Sequence, residues 1–323
     1  MSESLLAAAF DAEAVRAAAA TALETIDDAP TAIETIDRGR RKRTAIARFV
    51  DRGPVVVQVC TEQTWLRTES ALLRSIRQRT FVPVPPVLAA GTHDGVAYML
   101  TAYVAGSDLH EEFASIDDET QRDLARWFGT ALARLHEAFR FDSHGRLTLS
   151  EGALTADGRD WGTWFQRYGK RAIERLPKAF DPLRSDLRAL FAVPLETDPV
   201  ARLFPWDFRP GNALVADGSI TAVVDWEAPL AAAPALSVAK SEYLVADWYG
   251  ADSEPLRRAF RDGYTTVRPF PAVRPAHRVA AIAESAVDSA GTVTNPRYPP
   301  VGRDESVAFH REALEEVLAT DCS

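Results

Sequence analysis

Residues 203–227 read LFPWDFRPGNALVADGSITAVVDWE, and this stretch carries the strongest signal for a fold in the chain. Asp207 and Asn212 stand five residues apart in a loop that is rich in proline and glycine. Asp217-Gly218 lies between two β-prone segments, a pattern that predicts a hairpin. Because the hairpin turns the chain back, Asn212 before its first strand and Asp225 after its second strand are expected at the same end.

Two carboxylates and one amide are therefore expected to converge, and they offer oxygen ligands. Mg²⁺ commonly binds through one or two carboxylates together with the phosphates of a substrate. The alternative is purely structural: Asp207 caps a turn, Asp217 makes the hairpin and Asp225 caps a helix.

The chain before this stretch predicts a small β-rich lobe, and the chain from about residue 108 onward predicts a larger lobe that is mainly helical. One β-rich island, Ala213–Val224, interrupts the helices. The expected fold class is therefore α+β, with a five-stranded antiparallel lobe that contains one helix. The segments predicted for that lobe are strands Ala32–Ile36, Thr44–Val50, Pro54–Cys60, Val87–Gly91 and Val96–Tyr103 and helix Thr64–Arg79.

Composition excludes several classes of protein. Hydrophobic residues make up 46% of the 323 residues, which is enough for a core and excludes disorder of the whole chain. The net charge of -9 argues against general binding to nucleic acid. No apolar run is long enough to span a bilayer, and the acidic N-terminus lacks the positive charge of a signal peptide. A cytoplasmic protein without a membrane segment is expected.

The stretch around Asp207 resembles the loop and hairpin of the protein-kinase-like fold, which reads H-R-D-x-x-x-x-N followed by D-F-G. It resembles more closely the aminoglycoside phosphotransferase (choline kinase-like) family, with H-G-D-x-x-x-x-N and then I-D-[WF]-[ED]. The matching residues here are Pro205-Trp206-Asp207, Asn212 and Val224-Asp225-Trp226-Glu227. Leu132–His136 also matches the L-x-x-L-H helix of the family, and the resemblance covers residues 30 to 265.

This resemblance implies a two-lobed kinase-like fold with three parts. They are an N-terminal helical extension (1–29), an N-lobe that binds nucleotide (30–104) and a C-lobe with the catalytic loop and substrate cleft (105–323). It also implies that the backbone near Ala102 and Val104 contacts adenine.

The resemblance further implies the chemistry. Asp207 would accept or orient the proton of an acceptor hydroxyl, and Asn212 and Asp225 would hold Mg²⁺ against the phosphates of ATP or GTP. Phosphoryl transfer depends mainly on such positioning and on charge neutralisation.

The first departure from the family pattern lies in the third strand. Gln58 occupies the position at which the family has a lysine that binds phosphate, and glutamine brings no charge. Glu69 matches the usual partner of that lysine, so it is either a partner without its cation or a solvated helix residue.

The second departure is the turn between the first two strands, which reads DRGRRKR at 37–43 in place of a glycine-rich loop. Basic residues around Gly39, among them Arg40, Arg41 and Lys42, could supply the missing charge by clamping the phosphates. The alternatives are a solvated turn or a local patch for nucleic acid.

The third departure is Pro205-Trp206, which replaces His-Gly in the catalytic loop. The family's G-D-P-x-x-D stretch reads AAPALS at 232–237, without its acids. A variant subgroup that moved its supporting contacts is favoured, because Asp207, Asn212 and Asp225 are all present. Decay to a nucleotide-binding pseudokinase with a regulatory role is the alternative.

The function expected from these residues is transfer of a γ-phosphate from ATP or GTP to a hydroxyl group of a small molecule, with Mg²⁺ as cofactor. The substrate cleft could include the acids Glu227, Glu242 and Asp247. A protein that contacts RNA through the basic turn is a further alternative.

Overall fold

The computed structural model describes residues 2–36, 41–158, 160–192, 199–249 and 253–321. The chain divides into two compact units. The first unit comprises residues 1–106, 147–155 and 221–228, and the second comprises residues 107–146, 156–220 and 229–323. Within the described ranges, no helix is both long enough and apolar enough to cross a lipid bilayer.

The first unit is built on one five-stranded antiparallel sheet with the strand order β1-β2-β3-β5-β4. The predicted sheet and the predicted helix that follows its third strand are both confirmed. The elements up to residue 102 are α1 (Ser2–Ala9), α2 (Glu13–Glu24), β1 (Ala32–Ile36), β2 (Arg43–Arg48), β3 (Val55–Cys60), α3 (Gln63–Arg79), β4 (Val87–His93) and β5 (Val96–Ala102).

Side chains on β2 and β3 alternate between two environments, as the period of a strand requires. One set, which includes Ala47 and Val57, is fully buried in a core with the N-terminal helices. Those helices contribute Leu6 and Ala22, so the alanine-rich start of the chain covers the sheet. The other set, Thr44, Ile46, Val56 and Gln58, is half-buried.

The second unit is mainly helical. From residue 107 onward the helices are α4 (Leu109–Glu112), α5 (Asp118–Ala138), α6 (Trp161–Arg175), α7 (Arg184–Ala189), α8 (Pro234–Glu242), α9 (Glu254–Thr265), α10 (Pro275–Ser285) and α11 (Arg303–Asp321). Asp117 starts α5, because its carboxylate accepts hydrogen bonds from the backbone N–H groups of Glu119 and Thr120. The backbones of α5 and α9 touch, since a Cβ atom added at Gly129 or Gly263 would lie 2.0 Å from a carbonyl oxygen of the other helix.

The predicted hairpin is present, and its turn residues Asp217 and Gly218 have φ angles of 50° and 71°. The prediction that it is the only β structure after residue 108 is wrong. A further five-stranded sheet has the order β7-β10-β13-β8-β9. Its strands are short, and the two at its centre, Ala201–Phe204 and Leu230–Ala232, are too short and too buried to show an alternating pattern. The strands after residue 106 are β6 (Ser107–Asp108), β7 (Arg140–Phe141), β8 (Gly145–Ser150), β9 (Ala153–Ala156), β10 (Ala201–Phe204), β11 (Ala213–Ala216), β12 (Ser219–Val223) and β13 (Leu230–Ala232).

Four histidines of the second unit are buried: His136, His144, His277 and His310. His136 at the end of α5 makes hydrogen bonds with the Tyr264 hydroxyl at 2.8 Å and the Ser237 hydroxyl at 3.1 Å, which links α5 to α8 and α9. Burial lowers the pKa of His136 to about 3 and lowers the pKa of His277 and His310 to about 4.

We expect the free energy of unfolding to fall steeply between pH 7 and pH 5. The unfolded chain protonates these histidines near pH 6.5 whereas the folded chain does not, so their stabilisation is present above pH 6.5 and is lost on acidification. At pH 5 each of these three histidines lowers the free energy of unfolding by up to about 2 kcal/mol relative to its value at neutral pH. Urea denaturation at several pH values measures how the free energy of unfolding changes with pH, and His136→Gln should make this change smaller. Replacing His93, whose side chain is 38% exposed, is the control; a flat profile would contradict the expectation.

Candidate functional site

A buried ammonium group organises one cluster of charges in the first unit. Lys42 lies directly before β2, and its Nζ donates hydrogen bonds to the two carboxylate oxygens of Glu69 on α3, at 3.1 and 2.9 Å. The carboxylates of Asp225 and Glu227 lie 3.4 and 3.7 Å from the same nitrogen. One lysine therefore contacts three carboxylates.

The lysine at the centre of this cluster remains charged. Burial acts to lower the pKa of Lys42, whose side chain is 11% exposed, but the surrounding carboxylates outweigh it and raise the pKa above its ordinary value. The pKa of Glu227 is raised, first by burial and then by the negative charge of Asp225. The cluster has more negative charges than positive ones, so it has capacity for a further cation.

This cluster shows that Glu69 has a cationic partner although position 58 is glutamine. Glu69 is buried and paired with a cation, so it is not a solvated helix residue. Gln58 pairs with Thr44 in the β2–β3 register, and Lys42 precedes Thr44 by two residues. The cation therefore comes from the neighbouring strand, through the basic turn.

Only part of that basic turn can be placed. Gly39 and Arg40 lie outside the described residues. The guanidinium group of Arg41 lies 4.1 Å from the centroid of the Trp65 ring and 3.9 Å from a carboxylate oxygen of Glu227. The three basic residues of this turn that the structure describes differ: Lys42 points inward, whereas Arg41, which is 41% exposed, and Arg43 lie at the surface.

Asp225 follows β12 and has a left-handed backbone, with a φ angle of 63°. Such a conformation is unusual for a residue other than glycine and costs on the order of 1–3 kcal/mol, so the surrounding structure must maintain it. The Val223 N–H donates to the carbonyl of Pro83 at 2.8 Å, and the indole N–H of Trp226 donates to the carbonyl of Val223 at 2.9 Å. These bonds fix the chain on both sides of Asp225.

The segment predicted to contact adenine follows β5. The N–H of Ala102 donates to the carbonyl of Pro86 at 2.9 Å, and the N–H of Tyr103 donates to the carbonyl of Pro54 at 3.2 Å. Val104 is half-buried. Contact between Ala102 or Val104 and adenine stays a prediction.

In the second unit, Asp207 and Asn212 lie on the loop after β10. Trp206 has a φ angle of 64°, and the N–H of Asp207 donates to the carbonyl of Pro205 at 2.8 Å, which closes a three-residue turn. Tryptophan thus adopts the left-handed conformation at the position where the family pattern has glycine. The side-chain amide of Asn212 donates to the backbone carbonyl of Asp207 at 2.9 Å, so the two predicted residues are held together.

The carboxylate of Asp207 lies between two cations. Arg209 donates to one of its oxygens at 3.2 Å, and the ammonium group of Lys240 lies 3.9 Å from the other. Burial acts to raise the pKa of Asp207, but Arg209 and Lys240 outweigh it and hold the pKa below its ordinary value. Asp207 is therefore ionised at neutral pH, and its side chain is 30% exposed.

The sequence analysis did not identify Lys240, Arg209 or Tyr168 as site residues. Lys240 is one of only four lysines and follows the largely apolar run Pro234–Ala239 in α8, which is the signal that could have indicated it. Its ammonium group lies 4.2 Å from the centroid of the Trp206 ring. Tyr168 on α6 packs edge to face against the same ring at 5.9 Å.

The acids predicted for the substrate cleft have protein partners. Glu242 is fully buried and accepts hydrogen bonds from Arg261 at 2.5 Å and from Arg278 at 3.1 Å. Asp247 accepts two hydrogen bonds from Arg257, both at 2.8 Å. Contact of these acids with a substrate stays a prediction.

We expect Glu242→Ala to lower the free energy of unfolding by about 3 kcal/mol, because it leaves two arginines without their buried partner. Chemical denaturation measures this loss. Glu254→Ala is the matched control, since Glu254 is 56% exposed and lies 3.7 Å from Arg258; a change of less than about 1 kcal/mol is expected there. Equal effects at the two sites would contradict a structural role for Glu242.

The donor set fits a hard metal ion. The described residues contain no group of three or more His, Cys, Asp or Glu side chains arranged to hold a metal. Asp225 offers a carboxylate that is 46% exposed. Asn212 offers the oxygen of its side-chain amide, whose orientation is fixed because the amide nitrogen donates a hydrogen bond to the backbone carbonyl of Asp207. Such donors suit Mg²⁺, which relies on few protein oxygens and on substrate phosphates.

Comparison with known proteins identifies relatives of this fold. Residues 32–276 match the phosphotransferase enzyme family. Among curated proteins, none matches the sequence significantly.

Several solved structures share the fold at low sequence identity. A protein of Ralstonia eutropha JMP134, provisionally named an aminoglycoside phosphotransferase, is 16% identical with a TM-score of 0.65, covering 95% of this chain and 97% of that chain. A thermostable mutant of aminoglycoside phosphotransferase APH(4)-Ia, in a ternary complex with ADP and hygromycin B, is 14% identical with a TM-score of 0.62, covering 94% and 99%. A protein of Haemophilus somnus 129PT, provisionally named a fructosamine-3-kinase, is 13% identical with a TM-score of 0.59, covering 93% and 96%.

Proposed function

The chain belongs to the phosphotransferase enzyme family, and from this we propose that it is a small-molecule kinase, which transfers the γ-phosphate of ATP or GTP to a hydroxyl group. The observation that carries the proposal is the ion pair of Lys42 with Glu69. This ion pair supplies a cation at Glu69. Without it, the glutamine at position 58 of β3, where the family has lysine, would favour a protein that has lost its enzyme activity. Two solved structures of the same fold, which are ternary complexes with ADP and with AMP-PNP, support ATP as the co-substrate.

In this proposal Lys42 contacts the phosphates of the nucleotide. Glu69 holds its ammonium group by two hydrogen bonds, which fixes the position of a side chain that would otherwise be flexible. Arg41 contributes further charge from the surface. Gly39 and Arg40 of the same turn are also proposed as contacts of the phosphates. Gln58 offers a neutral hydrogen bond.

Asp207 orients the acceptor hydroxyl and accepts its proton as the phosphoryl group is transferred. Its pKa lies below the ordinary value, so the carboxylate is ionised and acts chiefly by positioning the hydroxyl. Asn212 and Asp225 would hold Mg²⁺, which when bound neutralises charge on the phosphates.

A first experiment measures Mg²⁺-dependent thermal shifts with ATP and GTP and then the release of ADP or GDP in single-turnover reactions. A shift together with nucleotide cleavage is expected. A shift without cleavage would favour the alternative, a regulator that binds nucleotide, because Gln58 and Pro205 depart from the family pattern. The absence of any shift would contradict both.

We expect Lys42→Met to weaken the binding of ATP at least about tenfold, because one charge-assisted contact with phosphate is worth about 1.5–3 kcal/mol. Binding of adenosine should change much less. Calorimetry with ATP and adenosine measures both affinities, and Arg52→Gln, at an exposed position of the next turn, is the control.

Gln58→Lys provides the matched rescue. Alone it should be neutral or mildly harmful, because the cluster already contains its cation. In the Lys42→Met background it should restore part of the lost affinity for ATP. If Gln58→Lys alone strongly raises turnover, while Lys42→Met binds ATP normally, then Lys42 does not replace the strand-3 lysine.

A further inference from the structure

The surroundings of Asp207 are rich in cations and in hydrogen-bond donors. Lys240 is 2% exposed, and within the described part of the chain its ammonium group has no hydrogen-bond acceptor; the nearest carboxylate oxygen, on Asp207, is 3.9 Å away. A buried ammonium group without an acceptor is costly, so its place beside a reacting carboxylate calls for an explanation.

A second donor near this loop also lacks an acceptor. The hydroxyl oxygen of Tyr168 is buried and has no hydrogen-bond partner among the described residues. Tyr168 and Lys240 both contact the ring of Trp206, the residue directly before Asp207. An unpaired hydroxyl group and an ammonium group therefore lie around one side chain of the catalytic loop.

Arg209 adds a third donor group. It contacts Asp207, and its guanidinium group lies 5.1 Å from the centroid of the Trp248 ring. The other nearby acid, Glu284, is already paired with Arg175 at 2.7 Å. Two basic side chains, Lys240 and Arg209, therefore contact the single carboxylate of Asp207.

A cationic acceptor is disfavoured by the same geometry. All three acids predicted for the substrate cleft already have basic partners. Glu242 and Asp247 are bound to arginines, and Glu227 lies 3.7 Å from Lys42 and 3.9 Å from Arg41. An ammonium group placed beside Asp207 would meet Lys240 and Arg209, and like charges at such distances repel.

We propose that the acceptor is a hydroxylated organic anion, whose carboxylate or phosphate group is bound by Lys240, Arg209 and the hydroxyl of Tyr168 while its hydroxyl meets Asp207. This inference rests on the proposed kinase function. In the transfer, the hydroxyl oxygen forms a bond to the γ-phosphorus, the bond from that phosphorus to the bridging oxygen of ADP breaks, and the hydroxyl proton passes to Asp207.

The first arm of the test separates metabolites by charge. A small-molecule extract is fractionated on anion- and cation-exchange columns, and each fraction is incubated with the protein, MgCl₂ and ATP labelled in its γ-phosphate. Label should enter a compound that the anion exchanger retains. Label in a compound that only the cation exchanger retains, or in one that neither retains, would overturn the proposal.

Variants identify the residues involved. Lys240→Met keeps the length of the side chain and its packing against Trp206, and Arg209→Gln changes a more exposed position. Each should raise the KM of the labelled acceptor at least about tenfold, with a much smaller rise in the KM of ATP. Arg258→Gln, at a residue that is 70% exposed, is the matched control. If the KM of ATP rises as much as that of the acceptor, the cations serve the nucleotide and the proposal fails.

The second arm does not depend on turnover. Glycerol 3-phosphate and D-glycerate are titrated while tryptophan fluorescence is recorded, because both cations lie against tryptophan rings. A saturable change that glycerol and choline do not cause, and that both variants lose, is expected. If no fraction accepts label, the kinase function fails, and this arm still decides the anion site: an absent response, or an equal response to glycerol, would overturn it.

Discussion

Asp207→Asn is expected to lower the rate of phosphoryl transfer by about 10²- to 10⁴-fold while nucleotide binding is retained. Asparagine has almost the same shape but cannot accept the proton of the acceptor hydroxyl, and it brings no charge against Arg209 and Lys240. Single-turnover release of ADP measures the rate, and calorimetry with ATP and Mg²⁺ measures the binding.

The hairpin tip offers a matched control for this substitution. Asp217→Asn makes the same chemical change at an exposed position, where a φ angle of 50° suits asparagine as well as aspartate. This variant should transfer phosphate like the parent protein. A loss of less than tenfold in Asp207→Asn would show that Asp207 neither accepts the proton nor positions the acceptor.

Asp225→Asn should remove most of the Mg²⁺ dependence of nucleotide binding. Replacing a group one step removed from a metal already costs about 10- to 100-fold in affinity, so loss of a direct charged ligand should cost at least as much. The melting temperature should barely change, because the side chain is 46% exposed and Lys42 keeps its closer partner, Glu69.

The measurement compares the affinity for ATP with MgCl₂ and with EDTA, using Asp217→Asn again as the control. The parent protein should bind far better with Mg²⁺, whereas the variant should bind with nearly the same affinity in both buffers. An unchanged gain from Mg²⁺ in the variant would refute the assignment of Asp225 as a ligand.

Local signals in the sequence predicted most of the first unit. The alternation of buried and half-buried side chains on β2 and β3 follows directly from strand geometry. The Asp217-Gly218 turn was predictable because both of its φ angles are positive, and these residues tolerate such angles. The resemblance to the phosphotransferase family also predicted that this hairpin directly follows the catalytic loop in the sequence.

Long-range contacts explain what could not be predicted. Lys42 reaches Glu69 across 27 residues and Asp225 across 183, and no pattern in the basic turn specifies which of its side chains turns inward. Lys240 on helix α8 approaches Asp207, which lies on the loop after β10. Trp206 adopts a backbone conformation that its residue type disfavours, and it is maintained by the packing around its ring and by the turn hydrogen bond from Asp207 to Pro205.

The position of Lys42 also restricts how this sequence could have evolved. A lysine placed at position 58 would be a second candidate partner for Glu69, which Lys42 already contacts. The negative charges of Asp225 and Glu227 would help to accommodate the second cation. A chain with lysine at neither position would bury Glu69 without this partner. A chain with both lysines is therefore a less costly intermediate between the two arrangements than a chain with neither.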